Sequence, residues 1–207
     1  MDWFSTISLA LGSAWTSGIN LYATVTILGL LQKVGATKLP LGLTVLDNWW
    51  IIGIGGFLFV VEFFADKIPY VDSVWDVIHT FIRIPAGAVV AYAATNEMDP
   101  TYSTIATLLG GGLALSSHGT KTALRATANL SPEPVSNWAL SFIEDGIAII
   151  GTLLAVFAPV IIMIVLGIFV LLFVWIVPKI FRAFLRLFRA VRSFFGGKGF
   201  VETANAR

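Results

Sequence analysis

The chain contains no cysteine, and it has few charged residues. The first absence excludes disulfides, iron–sulfur clusters and thiolate zinc sites. Only 12% of the 207 residues are charged, whereas soluble domains carry about 25%. The sequence also lacks a Walker phosphate loop, a Rossmann glycine pattern, a nucleophile elbow and a His-Glu-x-x-His motif. We therefore predict no enzyme activity, no catalytic residue, no bound metal, no cofactor and no nucleic-acid partner.

Hydrophobic residues make up 57% of the chain and are gathered into long runs. Lipid offers no hydrogen bonds to the backbone, so such runs must form helices. The sequence predicts an all-α membrane protein with one transmembrane domain, residues 1–177. Its six predicted spans are at about 4–31, 41–65, 72–94, 102–130, 135–157 and 160–177. The N-terminus lacks a basic n-region, so we expect it to be retained.

A basic segment follows Pro178. Its arginines at 182, 186, 189 and 192 are spaced four, three and three residues apart, with large apolar residues between them. This pattern predicts an amphipathic helix at 178–196, lying on anionic lipid headgroups, and a flexible tail at 197–207. The positive-inside rule places the C-terminus in the cytoplasm, and six spans place the N-terminus there too. We expect the inner membrane of a bacterium.

Two segments of the chain resemble each other. The pair Ser17-Gly18 is matched by His118-Gly119, and Asp-x-x-x-Ile-Ile-Gly occurs at both 47–53 and 145–151. The sequence therefore predicts a 3+3 inverted repeat, with repeat 1 at about 4–94 and repeat 2 at about 102–177. Helices 1 and 4 would be broken at their small, polar centres, which is typical of a carrier's binding site. The alternative is tight packing of small residues.

Ionisable residues within the predicted spans are the main functional signal, because each is costly in lipid. Helical spacing places the ionisable residues of the third span on one face of that helix, and it places those of the fourth span on one face of theirs. We predict substrate binding by Ser17, Gly18, Asn20, Arg83, His118, Gly119, Lys121 and Arg125. We predict coupling or ion pairing by Glu62, Asp76, His79, Glu144 and Asp145. The alternative is that buried ion pairs simply join helices.

The expected pairing is specific. Arg83 should pair with Asp145 or Glu144, while the basic face of the fourth span stays partly available. Asp66, Lys67 and Asp72 flank a short loop, so for them we favour a structural role. The two histidines are either proton relays or partners in helix–helix hydrogen bonds.

Several motifs resemble the membrane family named domain of unknown function 4126. They are Glu62-Phe-Phe-Ala-Asp-Lys-Ile-Pro69 with Asp72-x-x-Trp75-Asp76, Ser17-Gly18-Ile-Asn20, His118-Gly119-Thr-Lys121-x-x-x-Arg125-x-x-x-Asn129, and the segment from Asn137 to Asp145. The resemblance covers residues 8–160. It implies a membrane location and brings no established activity.

The leading hypothesis is a carrier or permease for a small anionic or headgroup-bearing substrate, bound near the middle of the bilayer. One alternative is a passive channel or lipid scramblase, which would use the same polar face. The other is a structural or accessory subunit, whose charges pair with a partner protein or with other copies of the chain.

Overall fold

The computed structural model describes residues 1–68, 71–129 and 134–195, without the side chains of 134, 184, 187 and 190–195. This part of the chain is helical and contains no strand. The six α-helices are α1 (Trp3–Lys33), α2 (Trp49–Ala65), α3 (Val71–Thr95), α4 (Pro100–Ala128), α5 (Pro134–Phe157) and α6 (Pro159–Phe195). A short 3₁₀ helix, Leu41–Asp47, precedes α2. The all-α fold class is confirmed.

Four of the described helices are long and apolar enough to cross a membrane: α1, α3, α5 and α6. The 3₁₀ helix and α2 meet the same requirement together, although the chain bends by 72° between them. The 29-residue α4 is not among them, because serine, threonine and glycine lower its hydropathy. The predicted count of six spans is therefore not confirmed. These apolar helices nevertheless indicate an integral membrane protein.

A break divides α1 into two arms, residues 3–19 and 21–33. Asn20 has φ −146° and ψ 98°, which are not helical angles. On either side of it, the hydroxyls of Thr16 and Thr24 are only 3.1 Å apart. Eight residues of straight helix would place them about 12 Å apart along the axis. The two arms therefore fold back on each other.

The neighbours of the arms confirm this reversal. Along the first arm, Gly12 packs against Ala155 while Asn20 bonds to Asp145, so this arm runs antiparallel to α5.

The second arm runs antiparallel to α2, since Thr26 lies against Gly55 and Gly29 lies against Ile52. The helices α2 and α5 run in opposite directions, because Phe63 near the end of α2 makes an edge-to-face contact with Phe142 near the start of α5. Both ends of α1 therefore lie at one end of the helix bundle, and its break lies inside. Although α1 is long enough to span, its contacts fold it into a hairpin within the first unit.

The predicted break in helix 4 is wrong. The helix α4 is continuous from Pro100 to Ala128, through its three consecutive glycines. Small residues here allow helices to approach closely. A Cβ atom on Gly110 would lie 2.5 Å from the Cβ of Ala91, and one on Gly87 would lie 2.4 Å from the Cβ of Ala114. Packing, the alternative reading of these glycines, is what the structure shows.

The predicted inverted repeat is not confirmed. The first helix of the chain is broken, whereas the fourth helix, which would match it in the second repeat, is continuous. The two matched aspartates also differ in setting, since Asp47 is half-buried at the end of the 3₁₀ helix while Asp145 is buried within α5. The orientation of the termini stays a prediction.

The chain divides into two compact units, residues 1–166 and 167–207. The first unit contains all the candidate site residues. The described part of the second is one helix, which continues through Pro178, where the sequence predicted the sixth span to end. Arg182, Arg186 and Arg189 are exposed on it, and its interfacial position stays a prediction. The predicted tail at 197–207 lies outside the described residues.

Candidate functional site

A cluster of nine charged side chains lies in the interior of the first unit. None of them is more than 5% exposed. The charged cluster consists of Glu62, Asp66, Asp72, Asp76, Arg83, Lys121, Arg125, Glu144 and Asp145. Burial of ionised groups in lipid or protein is unfavourable unless they are paired. The arrangement of pairs within the cluster therefore decides what it can do.

Arg83 pairs with two carboxylates from α2 and α3. Its guanidinium forms a short ion pair with Glu62 and lies 3.7 Å from the carboxylate of Asp76. The predicted pairing with Asp145 or Glu144 is wrong. Helical spacing correctly identified the face on which Arg83 lies, but it gave no information about which neighbouring helix packs there.

Lys121 and Arg125 are also fully engaged. The Lys121 ammonium lies 3.0 Å from Glu62, 3.1 Å from Asp66 and 3.8 Å from Glu144. The Arg125 guanidinium forms an ion pair with Glu144 and lies 2.8 Å from Asp66 and 3.2 Å from Asp72. The expectation that this basic face stays partly available is therefore wrong.

Asp66 and Asp72 are thus members of the cluster rather than loop residues alone. Asp66 caps the C-terminal end of α2, and its backbone carbonyl accepts a 2.6 Å hydrogen bond from Arg125. Lys67 lies beside the cluster, with its ammonium 3.0 Å from the centre of the Phe63 ring and 4.7 Å from that of Phe142. Partial burial lowers the pKa of Lys67.

The cluster has more acids than bases. Six carboxylates face three cationic side chains, which leaves three excess negative charges if every group is ionised. Asp145 takes part in no ion pair within the described residues. It accepts one hydrogen bond from Asn20, and its second oxygen has no hydrogen-bond partner in this part of the chain. This imbalance suits a site that binds a proton or a cation.

The break in α1 exposes backbone groups to this cluster. In a continuous helix, the N–H of Ala23 would donate to the carbonyl of Ile19. Here it donates to the side chain of Asn20 at 2.9 Å, and the Ile19 carbonyl accepts a 3.3 Å hydrogen bond from Lys121.

The two half-helix ends at the break meet charges of the sign that their dipoles favour. Lys121 lies at the carbonyl end of the first arm. Asp145 bonds to Asn20 at the amide end of the second arm, at 2.9 Å.

Both histidines are buried at the edge of the cluster. The Nδ1 of His118 lies 3.2 Å from Arg83 Nη1, which can only donate, so this nitrogen carries no proton. The Nδ1 of His79 lies 2.7 Å from the carbonyl of Trp75, which can only accept, so this nitrogen carries one. The hydroxyl of Tyr22 lies 2.8 Å from His79 Nε2.

The other predicted binding residues have simpler surroundings. The hydroxyl of Ser17 donates to the carbonyl of Ser13 at 2.7 Å. A Cβ atom on Gly18 would lie 2.0 Å from the hydroxyl of Ser117, so this glycine is required for close packing. Gly119 lies on the exposed face of α4, with no atom within 4 Å of its Cβ position, and does not join the cluster.

Sequence reasoning missed several polar residues around the cluster. The amide of Asn129 lies 3.3 Å from Asp72, and Asn137 donates to Asn129 at 2.7 Å. The available signal was spacing, because Asn129 follows Arg125 by four residues. Thr80 likewise follows Asp76 by four residues and contacts His118 at 2.8 Å.

A cavity of about 470 Å³ lies elsewhere in the first unit, between the N-terminus and the loops 34–41 and 96–99. Lys38 and Glu97 are among its lining residues, and no member of the charged cluster is. The cavity is therefore separate from the buried charged cluster.

The family model described as "Domain of unknown function (DUF4126)" matches residues 7–179. No curated protein matches the chain, and no solved structure does. The matched range includes the whole charged cluster and the break in α1, and it ends one residue after Pro178.

Proposed function

The chain belongs to the family described as domain of unknown function (DUF4126), and from that premise we propose that it is a small membrane carrier whose substrate binds beside the break in α1. The resemblance seen in the sequence is confirmed. The observation that carries the proposal is the pair of contacts at the break, where Lys121 bonds to the Ile19 carbonyl and Asp145 bonds to Asn20.

Interrupted helices that end near the middle of a membrane provide carriers with binding groups, because their free amides and carbonyls can bind ions and polar substrates. Non-helical backbone is tolerated there only where protein or a polar cavity surrounds it. In this protein the break contacts Lys121 and Asp145, which belong to a buried cluster of charges from four other helices. A purely structural hairpin would not need them.

We propose that the substrate is a small anion, or an anionic headgroup, and that it enters together with a positive charge. An anion can bind Lys121 or Arg125 only by replacing a carboxylate such as Glu144. That carboxylate must then be neutralised. The three excess acids of the cluster provide places for a proton or a cation. We therefore propose cotransport rather than simple anion binding.

Two other functions use the same residues. A passive channel or scramblase would let the substrate pass without alternating access. An accessory subunit would use the ion pairs only to hold helices together, as buried pairs often do. We favour the carrier because Asp145 forms no ion pair with the described residues and one of its oxygens has no hydrogen-bond partner among them, so it contributes no ion pair to such a structural role.

The test is uptake of small anions and phospholipid headgroups into proteoliposomes. Asp145→Asn removes one charge and keeps an acceptor for Asn20, so it preserves packing. Lys121→Gln/Arg125→Gln removes the two cations. The matched control is Arg182→Gln/Arg186→Gln, which removes two exposed cations.

We expect the wild-type protein to show saturable uptake. Asp145→Asn and Lys121→Gln/Arg125→Gln should abolish this uptake, and the control Arg182→Gln/Arg186→Gln should retain it. Stimulation by counter-substrate distinguishes a carrier from a channel. No uptake by folded wild-type protein, with stoichiometric copurification of a partner, would overturn the proposal in favour of an accessory subunit.

A further inference from the structure

We propose that the proton-binding group of this carrier is His118, and that a proton on its Nδ1 atom displaces Arg83 from the charged cluster. This inference rests on the proposed carrier function, for which it names the coupling ion. It follows from the hydrogen bonds of one imidazole ring, which allow only one protonation state while Arg83 stays in place.

The ring of His118 is fixed from both sides. On one side, Nδ1 accepts from the Arg83 guanidinium at 3.2 Å. On the other side, Nε2 lies 2.8 Å from the Thr80 hydroxyl and 3.2 Å from the Asp76 carbonyl. Thr80 donates its own hydrogen to the same carbonyl at 2.9 Å, so Nε2 must be the donor. His118 is therefore the neutral Nε2–H tautomer.

A second proton has only one place to bind, the Nδ1 atom. An N–H there would point at a guanidinium that has no acceptor atom, and two cations would be in contact within a buried site. Arg83 therefore cannot keep its contact with His118 when the ring is doubly protonated. Binding one proton must move Arg83, and moving Arg83 opens a binding place for one proton.

The other charged groups around the ring transmit this change. Asp76 faces His118 from α3, and Lys121 follows it on α4 by one turn. Glu62 from α2 binds both Arg83 and Lys121. When Arg83 leaves, Glu62 retains only Lys121, and Asp76 loses its cation. The proton thus changes the pairing of Lys121, which bonds to the break in α1.

His79 is a natural control, because its surroundings tolerate a proton. It already carries a proton on Nδ1, and its Nε2 faces a Tyr22 hydroxyl that can donate or accept. Its ring also stacks on Trp75, with 4.3 Å between the ring centres. A second proton on His79 requires only rotation of one hydroxyl. Protonation of this ring therefore does not force a side chain out of the cluster.

The first experiment needs no substrate. The chain contains only two histidines, so ¹⁵N-histidine NMR of the detergent-solubilised protein reports on two rings. We expect His118 with its proton on Nε2 and His79 with its proton on Nδ1, assigned with His79→Asn. In Arg83→Met, the titration midpoint of His118 should move by at least one pH unit toward higher pH, while that of His79 should move by less than half a unit.

A wild-type His118 that carries its proton on Nδ1 at neutral pH would overturn the proposal. An unchanged midpoint in folded Arg83→Met would overturn it as well. Arg83→Lys keeps a donor near Nδ1 and serves as the second variant if Arg83→Met does not fold. It should leave the tautomer unchanged.

The second experiment measures transport. His118→Asn keeps a side-chain acceptor for Arg83 but binds no proton. It should lower accumulation driven by an imposed pH gradient at least tenfold more than it lowers exchange of substrate at equal pH. In His79→Asn, accumulation and exchange should change by the same factor. Accumulation that persists in His118→Asn would overturn the role of this ring. Absence of any transport, with the expected NMR result, would instead overturn the carrier function and leave the His118–Arg83 exclusion in place.

Discussion

The two arms of α1 are held by different forces at their two ends. Near the break, Lys121 of α4 contacts the Ile19 carbonyl and Asp145 of α5 contacts Asn20. Toward the open end, contacts are made by hydroxyls and by small residues such as Gly12 and Gly29. The charged end can exist in more than one arrangement, because protons and ion pairs can be exchanged. The packed end has only one good fit. Such a difference suits a hairpin whose open end is fixed by packing and whose break can change its ion pairs.

The most direct way to break this comparison is to test the hairpin itself. The chain has no cysteine, so single cysteines can be labelled without a background. We expect Asp2→Cys and Lys33→Cys to react with an impermeant maleimide from one side of the membrane, and Ser73→Cys from the other. Labelling of the first two from opposite sides would show that α1 spans and that the hairpin is wrong.

The largest energetic effect should come from the charged end. Arg83→Met leaves Glu62 and Asp76 buried with fewer cations, and removal of one partner from a buried pair costs about 3–5 kcal/mol. Denaturant titration in detergent should show this loss, whereas exposed Arg186→Met should change stability by about 0.5 kcal/mol or less. A loss no larger than that of the control would mean that the cluster is not paired as described.

Gly18 is closely packed although it lies only two residues before the break, and overfilling there should destabilise the protein by a smaller amount. In Gly18→Ala the new methyl group would lie 2.0 Å from the Ser117 hydroxyl and 2.4 Å from the Ala114 carbonyl. We expect a loss of about 1–3 kcal/mol in the same denaturant titration. The matched control is Gly119→Ala. The Cβ position of residue 119 has open space around it, and alanine has a higher helix propensity than glycine. Equal stability of the two variants would contradict close packing at Gly18.

The hydroxyls between the arms should contribute less still. Thr152 lies 3.1 Å from Thr16 and 3.4 Å from Thr24, and hydrogen bonds between membrane helices average about 0.6 kcal/mol. Thr152→Val, which keeps the shape, should lower stability by that amount and shift the unfolding midpoint slightly. Thr127→Val removes an exposed hydroxyl and provides the baseline. A loss above about 2 kcal/mol would show that the hydroxyls hold the arms as strongly as the charges do.

The smallest effect concerns an acid outside the membrane helices. Asp99 caps the N-terminus of α4, and hydrogen bonds from Thr101, the backbone N–H first, lower the pKa of this exposed carboxyl below its ordinary value of 3.8. A lowered folded-state pKa stabilises the fold above the ordinary value, and this contribution is lost as pH falls through the folded value. Asp99→Asn keeps the cap and should remove only this acid-dependent part, measured as a difference in thermal unfolding between pH 6 and pH 3. If the wild-type protein and Asp99→Asn had the same dependence of thermal unfolding on pH, the stabilising role of the Asp99 carboxylate would be contradicted.

The sequence predicted the members of the site better than their partners. Spacing placed Asp72, Asp76 and Arg83 on one face of α3, and the structure buries all three. A helix face follows from the chain's own periodicity. Which carboxylate meets Arg83 depends on how helices pack, and no local pattern records that. The pairing with Glu62 could therefore not be read from the sequence.

Glycine-rich centres gave an ambiguous signal. Both helices 1 and 4 have small, polar middles, but only α1 breaks. The difference lies in Asn20, whose side chain can cap a new helix by accepting from Ala23. The helix α4 is continuous, and its Gly110 serves close packing instead. Small residues permit either outcome.

The polarity of α4 has a consequence for how the protein is made. The helix α4 carries Lys121 and Arg125 in its C-terminal third, and it is unfavourable in lipid by up to about 2.5–3.5 kcal/mol for each charge. It can enter the bilayer stably only after α2 and α3 supply Glu62, Asp66 and Asp72, and α5 then completes the set with Glu144. Biogenesis must therefore keep these segments together at the insertion machinery until α5 is synthesised. Substitutions in the charged cluster should thus appear first as lost protein yield, through degradation of incompletely inserted chains.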